Sequence, residues 1–219
     1  MKRQDRRASV ALVVCVLGFA GLMVSAMHLY PGGTWWDSTT RGYRFWQNFL
    51  CDLEWRVALN GQPNRVASRL AQAAMLILAV AFVPFWLAVP RLFESPRLGI
   101  AVRSLGIASV AGIVAVVLMP SDRFGVLHGI AVIAAGLPGL SAAGLATAGL
   151  LRGEPRPRIA GWTGASTLVF ALTDFVLYVS HLVAHAEGTW LTAAAQKIAL
   201  LLLLAWMLVV AGRSHRSLP

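Results

Sequence analysis

Residues 190–212 read WLTAAAQKIALLLLLAWMLVVAG, a run in which Lys197 is the one charged residue. About 20 apolar residues in helical form span the hydrocarbon layer of a bilayer, so this stretch predicts a transmembrane helix. The same test, applied back along the chain, finds comparable runs at approximately 161–186, 125–151, 99–120, 67–89 and 8–30. The expected fold is therefore all-α: one integral membrane domain of six transmembrane helices spanning residues 1–219.

Composition agrees. Hydrophobic residues make up 58% of the chain and charged residues 13%, whereas soluble domains average roughly 45–50% and about 25%. Six spans consume roughly 120 residues, which leaves little for a soluble domain. The basic opening MKRQDRR precedes an apolar run that continues to Tyr30 without a small-x-small cleavage site. It reads as an uncleaved first helix rather than a signal peptide.

The formal charge of +10 does not point to nucleic acid, because the nineteen Lys and Arg are scattered singly between apolar runs. They act as topology signals. With the N-terminus inside, Lys2, Arg3, Arg6 and Arg7, then Arg91, Arg97 and Arg103, then Arg152, Arg156 and Arg158, then Arg213 and Arg216 are all cytoplasmic. That is twelve of the nineteen, so both termini are expected in the cytoplasm. The two cysteines, Cys15 and Cys51, form no disulfide framework.

One connection is too long to be a mere link. The external loop 31–66 opens on Pro31-Gly32-Gly33 and closes on Asn60-Gly61-Gln62-Pro63-Asn64. Between them, Tyr43–Leu59 places Phe45, Phe49 and Leu53 on one side of a helix and Asn48 and Asp52 on another. This predicts an amphipathic helix at the outer interface, anchored by Trp35, Trp36, Trp46 and Trp55 and able to cap the bundle as a lid.

Ionisable residues inside a membrane are costly and are kept where they pair, line water or act. Here they share one depth. His28, His128, His181 and His185 fall at the outer ends of their spans, Asp52, Asp122 and Glu187 also lie on the outer side, and Gln196 and Lys197 sit within two turns of the outer end of span six. Asp174, Tyr178, His181 and His185 follow offsets of 4, 3 and 4, which puts them on one face of span five. A histidine pair at i, i+4 can hold a metal ion, with His128, Asp122 or Asp52 completing the set. Zinc held this way would lower the pKa of bound water to about 7 and supply a nucleophile. Asp174, Lys197 and Asp52 are the candidate catalytic groups, Lys197 as an anion or oxyanion partner. Against this stands a structural reading, in which Asp174 and Lys197 pair, Asn48 and Asp52 face water, and Asp122 caps the fourth span.

The strings Tyr30-Pro31-Gly32-Gly33, Asn48-Phe49-Leu50-Cys51-Asp52-Leu53 and Asn60-Gly61-Gln62-Pro63-Asn64, with Asp122 and His128, resemble a group of bacterial six-helix membrane proteins distantly similar to the DRAM/Sfk-like superfamily. The resemblance implies a multi-pass protein of the bacterial cytoplasmic membrane and no established reaction. A weaker likeness is to the ceramidase and adiponectin-receptor type of hydrolase, through His181 and His185 with His128 as a third zinc ligand. This chain departs from it in having six spans for seven. Three function classes follow: a metal-dependent hydrolase of a lipid or lipid-linked substrate, a non-catalytic lipid-binding or accessory module, and a haem, quinone or ion-coupled transport protein. The expected partners are membrane lipids and other membrane proteins.

Overall fold

The computed structural model describes residues 2–92, 95–152, 158–184 and 190–216. Seven α-helices run in the order α1 Lys2–Leu29, α2 Arg65–Ala88, α3 Pro96–Leu118, α4 Ser121–Phe124, α5 Val126–Arg152, α6 Arg158–Ala184 and α7 Trp190–Arg216. All but the one-turn α4 are long and apolar enough to cross a membrane, which gives the six spans expected. No strand occurs among the described residues.

The spans close into a ring. α1 packs on α2, α2 on α3, α3 on α5, α5 on α6, α6 on α7, and α7 returns to α1, with α2 and α7 also touching across the ring. The glycines allow this closeness. A Cβ at Gly112 on α3 would run into the backbone of Ala135 on α5, and one at Gly106 would run into the Trp86 ring of α2. Small residues where backbones meet are how helices associate in lipid, where no hydrophobic drive brings them together. At the end of the bundle remote from the long loop, Phe85 and Trp206 meet edge to face at 5.0 Å.

Local sequence sets the ends. Ser95 caps α3 by accepting the Leu98 N–H at 3.4 Å, and Pro96 follows it. Between α3 and α5 lies the short α4, whose N-cap is Pro120 and which stops at Gly125 with a φ of 47°. Asp122 therefore lies inside α4 and does not cap the next span.

The long loop differs most from expectation. The α-helix expected over Tyr43–Leu59 does not form, and a four-residue 3-10 turn, Cys51–Glu54, stands in its place. The reason is local competition for the backbone. Asn48 Oδ1 accepts the Arg44 N–H at 2.9 Å, and Asp52 Oδ2 accepts the Phe49 N–H at 2.8 Å, which draws those donors out of any continuous helical ladder. Around this turn the two ends of the loop, Pro31-Gly32-Gly33 and Asn60-Gly61-Gln62-Pro63-Asn64, meet. Gly32, at a φ of 137°, accepts the Asn60 N–H at 3.2 Å, and Gly33 donates to Thr40 O at 2.9 Å. A Cβ at Gly33 would strike the backbone of Leu59 and Asn60, so no other residue serves there.

Candidate functional site

The loop is seated on the bundle by hydrogen bonds from several helices. Tyr30 at the end of α1 accepts the Leu59 N–H at 3.1 Å. Ser68 on α2 donates to Glu54 O at 2.7 Å, and Asn64 donates to Leu53 O at 3.1 Å and Trp55 O at 2.8 Å. At α4, Ser121 accepts the Trp55 indole N–H at 2.8 Å and Asp122 accepts the Arg56 N–H at 3.2 Å. From α7, Gln196 accepts the Leu50 N–H at 2.9 Å.

Lys197 is the central tie. It is 1% exposed, and its Nζ donates to Asn48 O at 2.6 Å. Its ammonium also lies 5.6 Å from the Tyr43 ring centre and 5.9 Å from that of Phe45, within cation–π range. Asn48, itself fully buried, passes the connection on: its Nδ2 donates to Gly33 O at 2.8 Å and to Asp52 Oδ2 at 3.1 Å. Asp52 receives a third donor at Oδ1, the Trp35 indole at 3.0 Å. A buried cation and a buried carboxylate are thus joined through one asparagine, each with hydrogen-bond partners.

Burial sets the electrostatics of the loop. It raises the Asp52 carboxyl above its ordinary range, against the pull of Asn48, Phe49, Trp35 and the Lys197 charge. Glu54, 2% exposed, is pushed from 4.5 to about 8 by burial and by the negative Asp122, and its Oε2 finds no hydrogen-bond partner among the described residues. Burial pushes the Cys51 thiol to about 12, with Asp52 and Glu54 adding to the effect, so it is no thiolate nucleophile at neutral pH.

The other candidates divide. Asp174, half-buried on α6, lies near enough for its charge to act on Lys197, yet the ammonium directs its bonds to Asn48 and Gln196. Tyr178 lies one turn further along α6, near Cys51. The histidines have different surroundings. His128 is buried, and its Nδ1, carrying the proton, is 2.7 Å from Met119 O. His181 is exposed on α6, and His185 lies outside the described residues. Among the described residues, no three His, Cys, Asp or Glu side chains gather to hold a metal ion; His185, one half of the expected pair, lies outside them.

Sequence reasoning set Asn48 beside Asp52 but joined neither to Lys197, and it gave no site role to Tyr43, Glu54 or Asn64. The available signal was Gln196-Lys197, two adjacent polar residues inside an apolar span, which must find partners from another segment.

Fold and site define the class of a multi-pass all-α membrane protein whose long loop is bonded to the end of its helix ring. The chain matches no protein-family model, no curated protein and no solved structure.

Proposed function

We propose that this protein is a non-catalytic membrane module of the bacterial cytoplasmic membrane, both termini cytoplasmic, whose first loop is a fixed outer plug that binds lipid headgroups. The observation that carries this is the commitment of Lys197 and Asp52. The two groups best suited to chemistry are spent holding the loop, the cation on a backbone carbonyl and the carboxylate on three N–H donors. The orientation rests on the basic residues, which gather at the end of the bundle opposite the plug. The lipid assignment rests on Trp35, Trp36 and Trp46, each about half exposed on the loop. Trp35 turns its N–H inward to Asp52 and leaves ring surface outside, as an interfacial anchor does.

The test is Lys197→Met in detergent and in vesicles, read by protease cleavage within 31–64 and by quenching of loop tryptophans with headgroup-level quenchers. Release of the loop and loss of quenching support the plug; a variant with an unchanged loop and unchanged quenching sinks it.

Asp174 favours a second reading, an ion-coupled site beneath the plug, because its charge acts on Lys197 from the neighbouring helix. Proton-driven uptake into vesicles that Asp174→Asn abolishes while thermal stability stays intact would select that reading.

A further inference from the structure

The end of α2 next to the loop carries two arginines that nothing neutralises. Arg65 and Arg69 are both exposed and stand four residues apart, one turn along the same helix face. Among the described residues neither guanidinium has an ion pair or a hydrogen bond. Like charges at this spacing repel, and Arg69 already lies inside the apolar span Arg65–Leu92. An anion held between the two removes both penalties.

The backbone beside them is also open. Asn64, the N-cap of α2, makes no side-chain cap, and its own N–H goes to Arg56 O at 2.8 Å. The N–H groups of Arg65, Val66 and Ala67 have no intrahelical acceptor and meet no other among the described residues. A cavity of about 350 Å³ lies against them, lined by Leu29, Pro63, Asn64, Arg65, Val66 and Ala67. That volume falls at the lower end of small-ligand sites. Asn64 is its most polar buried wall, 2% exposed. The Nδ2 is engaged by Leu53 O and Trp55 O, while the Oδ1 has no hydrogen-bond partner. A buried acceptor left bare is costly unless a donor arrives. The cavity thus offers N–H donors and two cations to an anion, and one acceptor to a donor.

We infer that this cavity seats the headgroup of a phospholipid from the surrounding bilayer, an inference that deepens the lipid-headgroup reading of the loop and rests on it. The phosphate lies against the free N–H groups of α2, where the helix dipole favours negative charge, and between the Arg65 and Arg69 guanidiniums. The headgroup's own donor, the ammonium of phosphatidylethanolamine, meets Asn64 Oδ1. The acyl chains run past Leu29 and Val66, both exposed. Depth favours a lipid over a free phosphate. Leu29 ends the first span and Arg65 begins the second, so the cavity sits at the rim of the hydrocarbon layer, next to the headgroup region.

The test uses the full-length chain in neutral detergent, with bound lipid counted by native mass spectrometry. The probes are phosphatidylethanolamine, phosphatidylcholine, diacylglycerol with the same chains, and inorganic phosphate. One phosphatidylethanolamine per chain should be retained, more tightly than phosphatidylcholine, whose quaternary ammonium has no N–H to give, and far more tightly than diacylglycerol. Arg65→Gln with Arg69→Gln should weaken retention about 10- to 30-fold. The melting temperature of this variant in lipid-free detergent should stay the same or rise slightly, because two repelling charges are gone. Arg65→Lys with Arg69→Lys, which keeps both charges, should restore most of the retention. Equal retention by the wild type and the glutamine variant, or of diacylglycerol and phospholipid, overturns the inference. Displacement of the lipid by an equal concentration of inorganic phosphate overturns the choice of a lipid, and phosphatidylcholine held as tightly as phosphatidylethanolamine overturns the Asn64 contact. Quenching of the loop tryptophans in the glutamine variant reads the plug separately: it persists if the plug stands, whatever the two arginines do.

Discussion

The Lys197 ammonium donates to the Asn48 carbonyl at 2.6 Å, and the Asn48 side-chain amide donates in turn to Asp52 at 3.1 Å. A cation from α7 and a carboxylate from the loop are held apart and yet linked by one residue. The arrangement joins segments 149 positions distant in sequence, and breaking it at either charge leaves buried partners unpaired.

Lys197→Met keeps the length and apolar stem of the side chain but leaves the buried Asn48 carbonyl without its charged donor. The expected loss is about 3 kcal/mol, seen as a lower unfolding midpoint in detergent. Lys197→Arg should recover little, because the planar guanidinium does not fit a site built around one short contact.

Asp52→Asn replaces one carboxylate oxygen with a donor that faces other donors, namely the Asn48 amide and Phe49 N–H or the Trp35 indole. A cost of about 1–3 kcal/mol is expected, together with a change in Trp35 emission, since its indole N–H is bonded to this carboxyl. Unaltered stability would show that the carboxylate is not a tie point.

The fold should weaken as pH rises. Glu54 holds its proton up to about 8 in the folded chain against 4.5 ordinarily, so between those values the folded state binds a proton that the unfolded state has released. Its contribution is complete below 4.5 and is lost towards 8, at a slope of at most about 1.4 kcal/mol per pH unit. Asp52 is shifted in the same direction and adds to the trend. Thermal unfolding measured from pH 5 to 9 should show the decline, and Glu54→Gln should flatten it.

His128 is a structural residue in this arrangement. His128→Ala removes the partner of the half-buried Met119 carbonyl and should cost about 1 kcal/mol, whereas exposed His181→Ala should cost less.

Gly112→Ala should destabilise the bundle by about 1–3 kcal/mol, because the added methyl meets the backbone of Ala135 on α5. Gly21→Ala, on α1 with open space around its Cα, is the control and should be neutral or slightly stabilising.

The sequence by itself determined the six spans, because hydrocarbon thickness and the need to satisfy every backbone group internally admit few other solutions for apolar runs of this length. It also determined that the polar groups gather at one end, and the i, i+4 spacing of Asn48 and Asp52 correctly put them side by side. Their setting was another matter. A period of four residues implied a helix, but side chains capturing nearby N–H groups produced a 3-10 turn with the same adjacency. Which polar groups meet was decided only by the tertiary structure. Lys197 faces the loop and His128 faces Met119 because the ring order sets where each helix face points, and that order depends on contacts between segments far apart in the chain. Depth in a membrane is written in local hydropathy; azimuth around a bundle is not.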